Sequence, residues 1–325
     1  MTILSDQGYE SEMKTKVLPV LKERRLAGKF ERTPGQKLYY EHFYTDREKP
    51  KAVVVMVHGF SEAIPKFYEA AWYFLENGYD VWMLQQREHG ISYRSTRDRA
   101  LIYVRDYNDL IEDLHFFVQN VVRLDSKHGC LPCYLFAHSM GGGVGANVLE
   151  RHPSDFAKAV LTAPMLEMYA GGKPVWAVAA FARVLCLLGK GKEYLPGAQP
   201  YTGVRDFENS CSTCSERYEY WCDVQDRHPE YQMCVSSIRT ALEFLKLTRS
   251  AVKPGNVSKV TAKVLLLQAG RDNMVSPGGQ EKFIKRLGAK GQLIRFAAGK
   301  HELYRGRQEE LSPYWEEIFE FLERE

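Results

Sequence analysis

A serine hydroxyl is a poor nucleophile at neutral pH, so a chain that uses one must supply a base and a carboxylate to orient that base. Three stretches of this 325-residue sequence carry those residue types in a usable order. The apolar run Tyr134-Leu135-Phe136-Ala137-His138 stops at Ser139 and passes at once into Met140-Gly141-Gly142-Gly143-Val144. A sharp strand-to-helix turn can hold a serine in a strained backbone conformation with its hydroxyl presented, provided the residues two before and two after it are small. Ala137 and Gly141 meet that steric condition, although Ala137 departs from the usual G-x-S-x-G spelling. Asp272 follows in Gly270-Arg271-Asp272 and His301 in Gly299-Lys300-His301-Glu302-Leu303, each just past a run with strand character. Ser, then Asp, then His is a known chain order for a nucleophile on such a turn.

The other histidines have plainer roles. His138 adjoins the serine, with a side chain expected to point away from the one Ser139 presents. His89 lies in a loop after an earlier strand and is expected to shape the pocket floor, and His152 precedes Pro153 at a helix end. For the orienting acid, Glu302 is a second acidic candidate beside Asp272. Acyl transfer also requires donors for a developing oxyanion. The backbone N–H of Met140 is one candidate and that of Phe60, in the loop His58-Gly59-Phe60, is the other.

These residues need a scaffold whose strands end on one side. Ala52 to Val57 is a continuous β-branched run, as in a parallel strand covered on both faces. Helical spacing over Lys66 to Asn77, a strand over Tyr79 to Leu84, a helix over Tyr107 to Leu124, the strand before Ser139, a helix over Gly142 to Arg151 and a strand over Ala157 to Thr162 give the rhythm of βαβ units. Before them, the first thirty residues predict a helix and Lys37 to Tyr44 a strand. From about Leu166 to Lys259 the rhythm breaks, with no clear strand. This stretch holds an apolar segment, Val175 to Leu188, and a helical pattern over Ser237 to Leu247. Order returns with a strand over Lys263 to Ala269, a helix over Gly279 to Leu287, a strand over Gln292 to Phe296 and a closing helix over Pro313 to Leu322. The expected organisation is therefore an α/β fold, a mostly parallel doubly wound sheet. Residues 1–34 form a helical extension, 35–165 and 260–325 the core, and 166–259 an inserted helical cap. In such sheets, sites gather outside the carboxyl ends of the strands.

With those residues in place, the sequence resembles the α/β-hydrolase superfamily, and within it the lysophospholipase L2 and monoacylglycerol lipase-like serine hydrolases. The resemblance rests on Ala137-His138-Ser139-Met140-Gly141-Gly142, Leu161-Thr162-Ala163-Pro164-Met165, the Arg87 to Ser92 loop and Asp106-Tyr107-Asn108-Asp109-Leu110. It runs from about residue 35 to the C-terminus and is thin through the cap. It implies a serine nucleophile, ester hydrolysis without a cofactor and lipid-like substrates entering beneath the cap. One loop departs from the pattern Asp-x-Arg-Gly-His-Gly-x-Ser: Gln85 stands in place of Asp and Glu88 in place of the first Gly.

The composition excludes several other functions. Lys and Arg exceed Asp and Glu by 44 to 41 with no basic run to concentrate the excess, so no nucleic-acid partner is expected. No apolar stretch reaches the roughly 18 residues that span a bilayer, and the polar Met1 to Lys16 does not have the make-up of a secretory signal. A cytoplasmic protein is expected, with peripheral membrane contact through the cap or the N-terminal helix. The seven cysteines, an odd number, suit free thiols. Cys130/Cys133 and Cys211/Cys214 have Cys-x-x-Cys spacing, but zinc needs four convergent ligands and the pairs fall in different regions, so no metal is expected. The leading reading is an esterase for a monoacyl lipid, a lysophospholipid or monoacylglycerol, acting through an acyl-enzyme. The alternatives are a carboxylesterase or amidase for small soluble substrates, and an inactive hydrolase fold used for binding.

Overall fold

The computed structural model describes residues 2–125, 127–169 and 174–324. Residues 1, 126, 170–173 and 325, which fall within the expected extension, core and cap, lie outside the described residues. Among the described residues the strands are β1 (Arg25–Glu31), β2 (Lys37–Phe43), β3 (Val53–Val57), β4 (Asp80–Leu84), β5 (Leu101–Ile102), β6 (Cys133–His138), β7 (Lys158–Thr162), β8 (Val235–Ser236), β9 (Lys263–Ala269) and β10 (Gly291–Phe296). The α-helices are α1 (Tyr9–Glu12), α2 (Leu18–Glu23), α3 (Tyr68–Glu76), α4 (Tyr107–Phe117), α5 (Ser139–Arg151), α6 (Val175–Leu187), α7 (Ser215–Arg227), α8 (Ile238–Ala251), α9 (Pro254–Val257), α10 (Pro277–Leu287) and α11 (Gln308–Glu323).

Eight strands form one sheet in the order β1-β2-β4-β3-β6-β7-β9-β10. The pairs β1/β2 and β2/β4 are antiparallel and the remaining pairs parallel. Every residue of β3 is buried, as expected of a strand with a helical layer on each face. Two apolar layers result. One packs Val55, Leu135 and Leu161 against α4, α5 and α8. The other packs Val54, Phe136 and Leu265 against α3 and α11, around the fully buried Trp315.

The topology decides where a site can form. From β3 the chain builds outward to β4, whereas β6, β7, β9 and β10 extend the sheet the other way. The order reverses between β3 and β6, and a crevice opens there beyond the strand ends. The register Val57↔Ala137 sets the loop after β3 beside the turn after β6.

Three elements differ from the sequence expectation. The N-terminal helix ends at Glu23, and Arg25–Glu31, expected as part of a helical extension, is an antiparallel edge strand instead. Its residues are mostly exposed, so it carries no strong alternation to mark it. The last helix starts at Gln308 rather than at Pro313, which it contains. Within the stretch expected to lack strands, β8 pairs with β5 and ties residues 235–236 to the loop before α4.

Between β7 and β9, α6 lies on α8, and α8 in turn packs on α4 and α5. Phe244, Leu247 and Ala251 of α8 belong to the main core, while α6 buries only Ala182. The apolar residues Trp176, Phe181, Val184, Leu187 and Leu188 of that segment are exposed.

Candidate active site

Ser139 opens α5 with φ 51°, a left-handed conformation that costs a non-glycine residue of order 1 kcal/mol or more. Close packing holds it there. A side chain at Gly141 would place its Cβ 2.5 Å from the carbonyl oxygens of both Val57 and His58, so the helix can begin this near β3 only with glycine at that position. Gly59 faces the same crowding from the other side, since a Cβ there would lie 3.0 Å from that of Ser139 and 2.7 Å from Glu62 Oε2.

Three of the residues expected from the sequence fall on one hydrogen-bonded line. His301 Nε2 lies 2.8 Å from Ser139 Oγ, and His301 Nδ1 lies 2.7 Å from Asp272 Oδ2. Asp272 Oδ1 accepts from the N–H groups of Met274 (2.8 Å) and Val275 (3.0 Å), which fix the carboxylate. Burial pushes the Asp272 carboxyl up, but the hydrogen bond and charge of His301, with those two N–H groups, hold it below the ordinary range. An ionised Asp272 takes the Nδ1 proton of His301 as its donor and leaves Nε2 free to accept from the serine. Glu302, the other acidic candidate, points elsewhere: it pairs with Lys66 at 2.6 Å and Arg305 at 2.7 Å.

Met140 follows in the first turn of α5, where N–H groups have no intrahelical acceptor. Among the described residues the Phe60 N–H donates to no protein acceptor. Its loop is firmly braced. Glu62 Oε2 accepts the Gly59 N–H at 2.6 Å, and His89 Nε2 accepts the Ser61 N–H at 3.3 Å. The His58 ring beneath accepts at Nε2 from the Gln86 N–H and faces Gln85 Nε2, so its Nδ1 donates to the Gly59 carbonyl at 2.8 Å. Burial pushes His58 down to about 4, and the ring is neutral in this role at pH 7. The Phe60 ring meets Phe244 of α8 edge-on at 5.7 Å.

The rival histidines are engaged elsewhere, with His138 and His89 buried and His152 partly exposed. The His138 ring sits beside that of His301, with centroids 4.9 Å apart, and its Nδ1–H donates to the Thr162 carbonyl. Burial pushes it down to about 4. His89 braces the Phe60 loop, and His152 stacks on His115 at 3.6 Å beyond α5.

The departures in the Gln85 to Ser92 loop also find their partners. Gln85 Oε1 accepts the Ile64 N–H at 3.0 Å. Glu88 has φ 64°, a conformation that favours glycine, and both its carboxylate oxygens accept the Ser95 N–H at 3.1 Å.

Sequence reasoning missed a buried charged lattice beneath the site. Lys66 bridges Glu62 (2.9 Å) and Glu302 (2.6 Å), and Tyr304 OH donates to Glu62 Oε1 at 2.8 Å. Burial opposes the ionisation of Glu62, but the adjacent Lys66 outweighs it and holds the carboxyl well below its usual range. The signal was present as Glu62/Lys66 and Glu302/Arg305, spacings that resemble ordinary surface ion pairs on a helix.

A family model described as serine aminopeptidase, S33, matches residues 48–308. The chain belongs to this family. It is an α/β-hydrolase and a serine hydrolase. Among curated proteins it is similar to the monoacylglycerol lipase of Mycolicibacterium smegmatis, 25% identical over 278 residues that cover 85% of this chain and 90% of that protein. It is also similar to a probable lysophospholipase L2 of Haemophilus influenzae, 24% identical over 248 residues, 76% of each. Among solved structures, a soluble variant of the monoglyceride lipase of Saccharomyces cerevisiae, bound to a substrate analog, shares the fold with TM-score 0.72 and 18% identity. The match covers 90% of this chain and 93% of that one.

Proposed function

We propose that this serine hydrolase cleaves the acyl ester of a monoacyl lipid, a lysophospholipid or monoacylglycerol, through an acyl-enzyme on Ser139. The observation that carries the chemistry is the line Ser139 Oγ, His301, Asp272, with 2.8 and 2.7 Å between successive partners. His301 Nε2 takes the proton as Ser139 Oγ attacks the ester carbonyl, and the oxyanion accepts from the N–H groups of Phe60 and Met140. On collapse the imidazolium returns the proton to the departing glycerol or glycerophospho oxygen. Water, deprotonated by His301 in turn, then releases the fatty acid.

The lipid part of this reading has two supports, the names of the relatives and the apolar surface of residues 166–259, taken as the cap. A groove of about 870 Å³ runs along α6 and is lined by Met168, Val178, Phe181, Leu185, Ile238 and Leu245 among others. One of its lining residues, Met168, bridges to Val275, whose N–H bonds Asp272. Ligand sites for acyl chains are largely apolar concavities of this size. Trp176, Leu187 and Leu188, exposed on and just beyond α6, offer a face to a lipid surface. No helix among the described residues is long and apolar enough to cross a membrane, so any membrane contact proposed here is peripheral.

The test is a rate profile over monoacylglycerols and lysophosphatidylcholines of increasing chain length beside p-nitrophenyl acetate. The expected result is kcat/KM that rises with chain length by about tenfold or more, as burial of several methylenes predicts. Equal or falling rates from acetate to long chains would assign the enzyme to small soluble esters.

A further inference from the structure

At the end of the sheet opposite Ser139, three side chains converge with no role in the hydrolase chemistry. Asp80 begins β4, His42 lies in β2 across from Trp82, and His128 sits in the turn that leads to β6. His42 Nε2, Asp80 Oδ2 and His128 Nδ1 all lie within 4.8 Å of one another. The side chain of Asp80 is fully buried and that of His42 is 5% exposed, while His128 at 15% opens to the surface.

The polar atoms are poorly served by the protein alone. Asp80 Oδ1 accepts the Thr45 N–H at 2.8 Å, but Oδ2 faces two imidazole nitrogens without an aligned hydrogen bond to either. Both ring nitrogens are likewise without a hydrogen-bond partner. Among the described residues no Lys or Arg pairs with Asp80, so a fully buried carboxylate has only these two rings to balance it. Buried charge in that state is costly, and an imidazole nitrogen can offer a lone pair to a cation as well as a proton to an anion.

The geometry points to a site for a divalent transition-metal ion of the zinc type, held by His42 Nε2, His128 Nδ1 and Asp80 Oδ2. Two imidazoles and a carboxylate suit the N/O preference of zinc. Ligand atoms about 2.0–2.2 Å from a tetrahedral ion stand roughly 3.3–3.6 Å from each other, and His42 Nε2 to Asp80 Oδ2 is 3.5 Å. His128 Nδ1 contacts the same carboxylate oxygen more closely than two ligands of one ion stand, so binding requires the surface turn that carries His128 to move outward. The Thr45 N–H orients the carboxylate from outside, and His42 is held flat on Trp82, with ring centroids 3.9 Å apart and planes 9° apart. Water completes the fourth position. The ion would pin the connection between α4 and β6 to β2 and β4, a structural role separate from ester hydrolysis. The sequence expectation of no metal rested on the cysteine pairs; all seven cysteines are free.

Cobalt(II) titration of the metal-stripped protein tests this, because tetrahedral N/O-bound Co(II) absorbs strongly in the visible. The expected result is one equivalent bound, displaced by zinc, with a raised Tm. In His128→Ala the affinity falls at least about tenfold and hydrolysis of p-nitrophenyl acetate is unchanged, which also reports that the variant is folded. His42→Gln and Asp80→Asn should lose the cobalt spectrum as well. No uptake by the wild type, or equal uptake by wild type and His128→Ala, overturns the site.

Discussion

The turn that carries Ser139 and the helix α6 are built on opposite terms. At the turn, His301, Asp272, Glu62, His58 and His89 are held in hydrogen bonds, and the strained Ser139 is fixed by glycines packed against it. On α6 the apolar side chains of Trp176, Phe181 and Leu187 stand in solvent, and only Ala182 is buried. Reacting groups must be held within a fraction of an ångström to be effective, so the first region spends its polar contacts on rigidity. A surface that selects substrates needs unpartnered apolar area instead. In the proposed function, the difference separates what the enzyme does to a bond from what it allows near the bond.

Substitutions can attack each side of that division. The largest effect is expected from Asp272→Asn. Asn keeps an oxygen for the Met274 and Val275 N–H groups but presents an amide donor to His301 Nδ1, which forces the wrong tautomer. We expect kcat to fall by about 10³ to 10⁴ with little change in KM, measured on a soluble ester. A loss below about tenfold would remove Asp272 from the catalytic line. On the other side, Trp176→Ser with Leu187→Ser should lower kcat/KM about three- to tenfold for long-chain monoacylglycerol presented on vesicles and leave p-nitrophenyl acetate untouched. Equal losses on both substrates would mean that α6 supports the fold rather than access.

The remaining effect concerns stability. Glu150 of α5 is buried with neither carboxylate oxygen partnered, and burial pushes it up to about 9, against the lesser pull of Arg151 and Lys259. The carboxyl is protonated in the fold but ionises in the unfolded chain above its ordinary range. Its contribution is therefore full in acid and is lost as pH rises towards about 9. Glu150→Gln should match the wild type near pH 4 and become steadily more stable than it as pH rises, by roughly 4–5 kcal/mol at pH 8 in urea unfolding. A constant difference across that range would show that the side chain does not titrate in the fold.

Much of the first region was legible in the sequence and little of the second. The convergence of Ser139, Asp272 and His301 was legible because each follows a parallel strand of the sheet, and the parallel register brings strand ends together. Glu62, Lys66 and Arg305 escaped notice because charge at helical spacing reads as solvated surface, and only the packing of Phe67 on Tyr304 (4.5 Å) and the surrounding core shows them to be dry. His42, Asp80 and His128 lie far apart along the chain, with no local pattern to join them. The edge strand Arg25–Glu31 was hidden by Gly28 and its charged residues, which suppress alternation. The apolar length of α6 was plain, but burial against exposure is set by its neighbours, and no single-chain pattern distinguishes a core helix from one left open.

Nucleophilic attack by Ser139 can be read out by reaction with a fluorophosphonate followed by peptide mass mapping. A single adduct on Ser139 is expected, formed by the native protein, abolished in Ser139→Ala and slowed in Asp272→Asn. A folded protein that remains unlabelled, or an adduct on another residue with Ser139 unmodified, would contradict it.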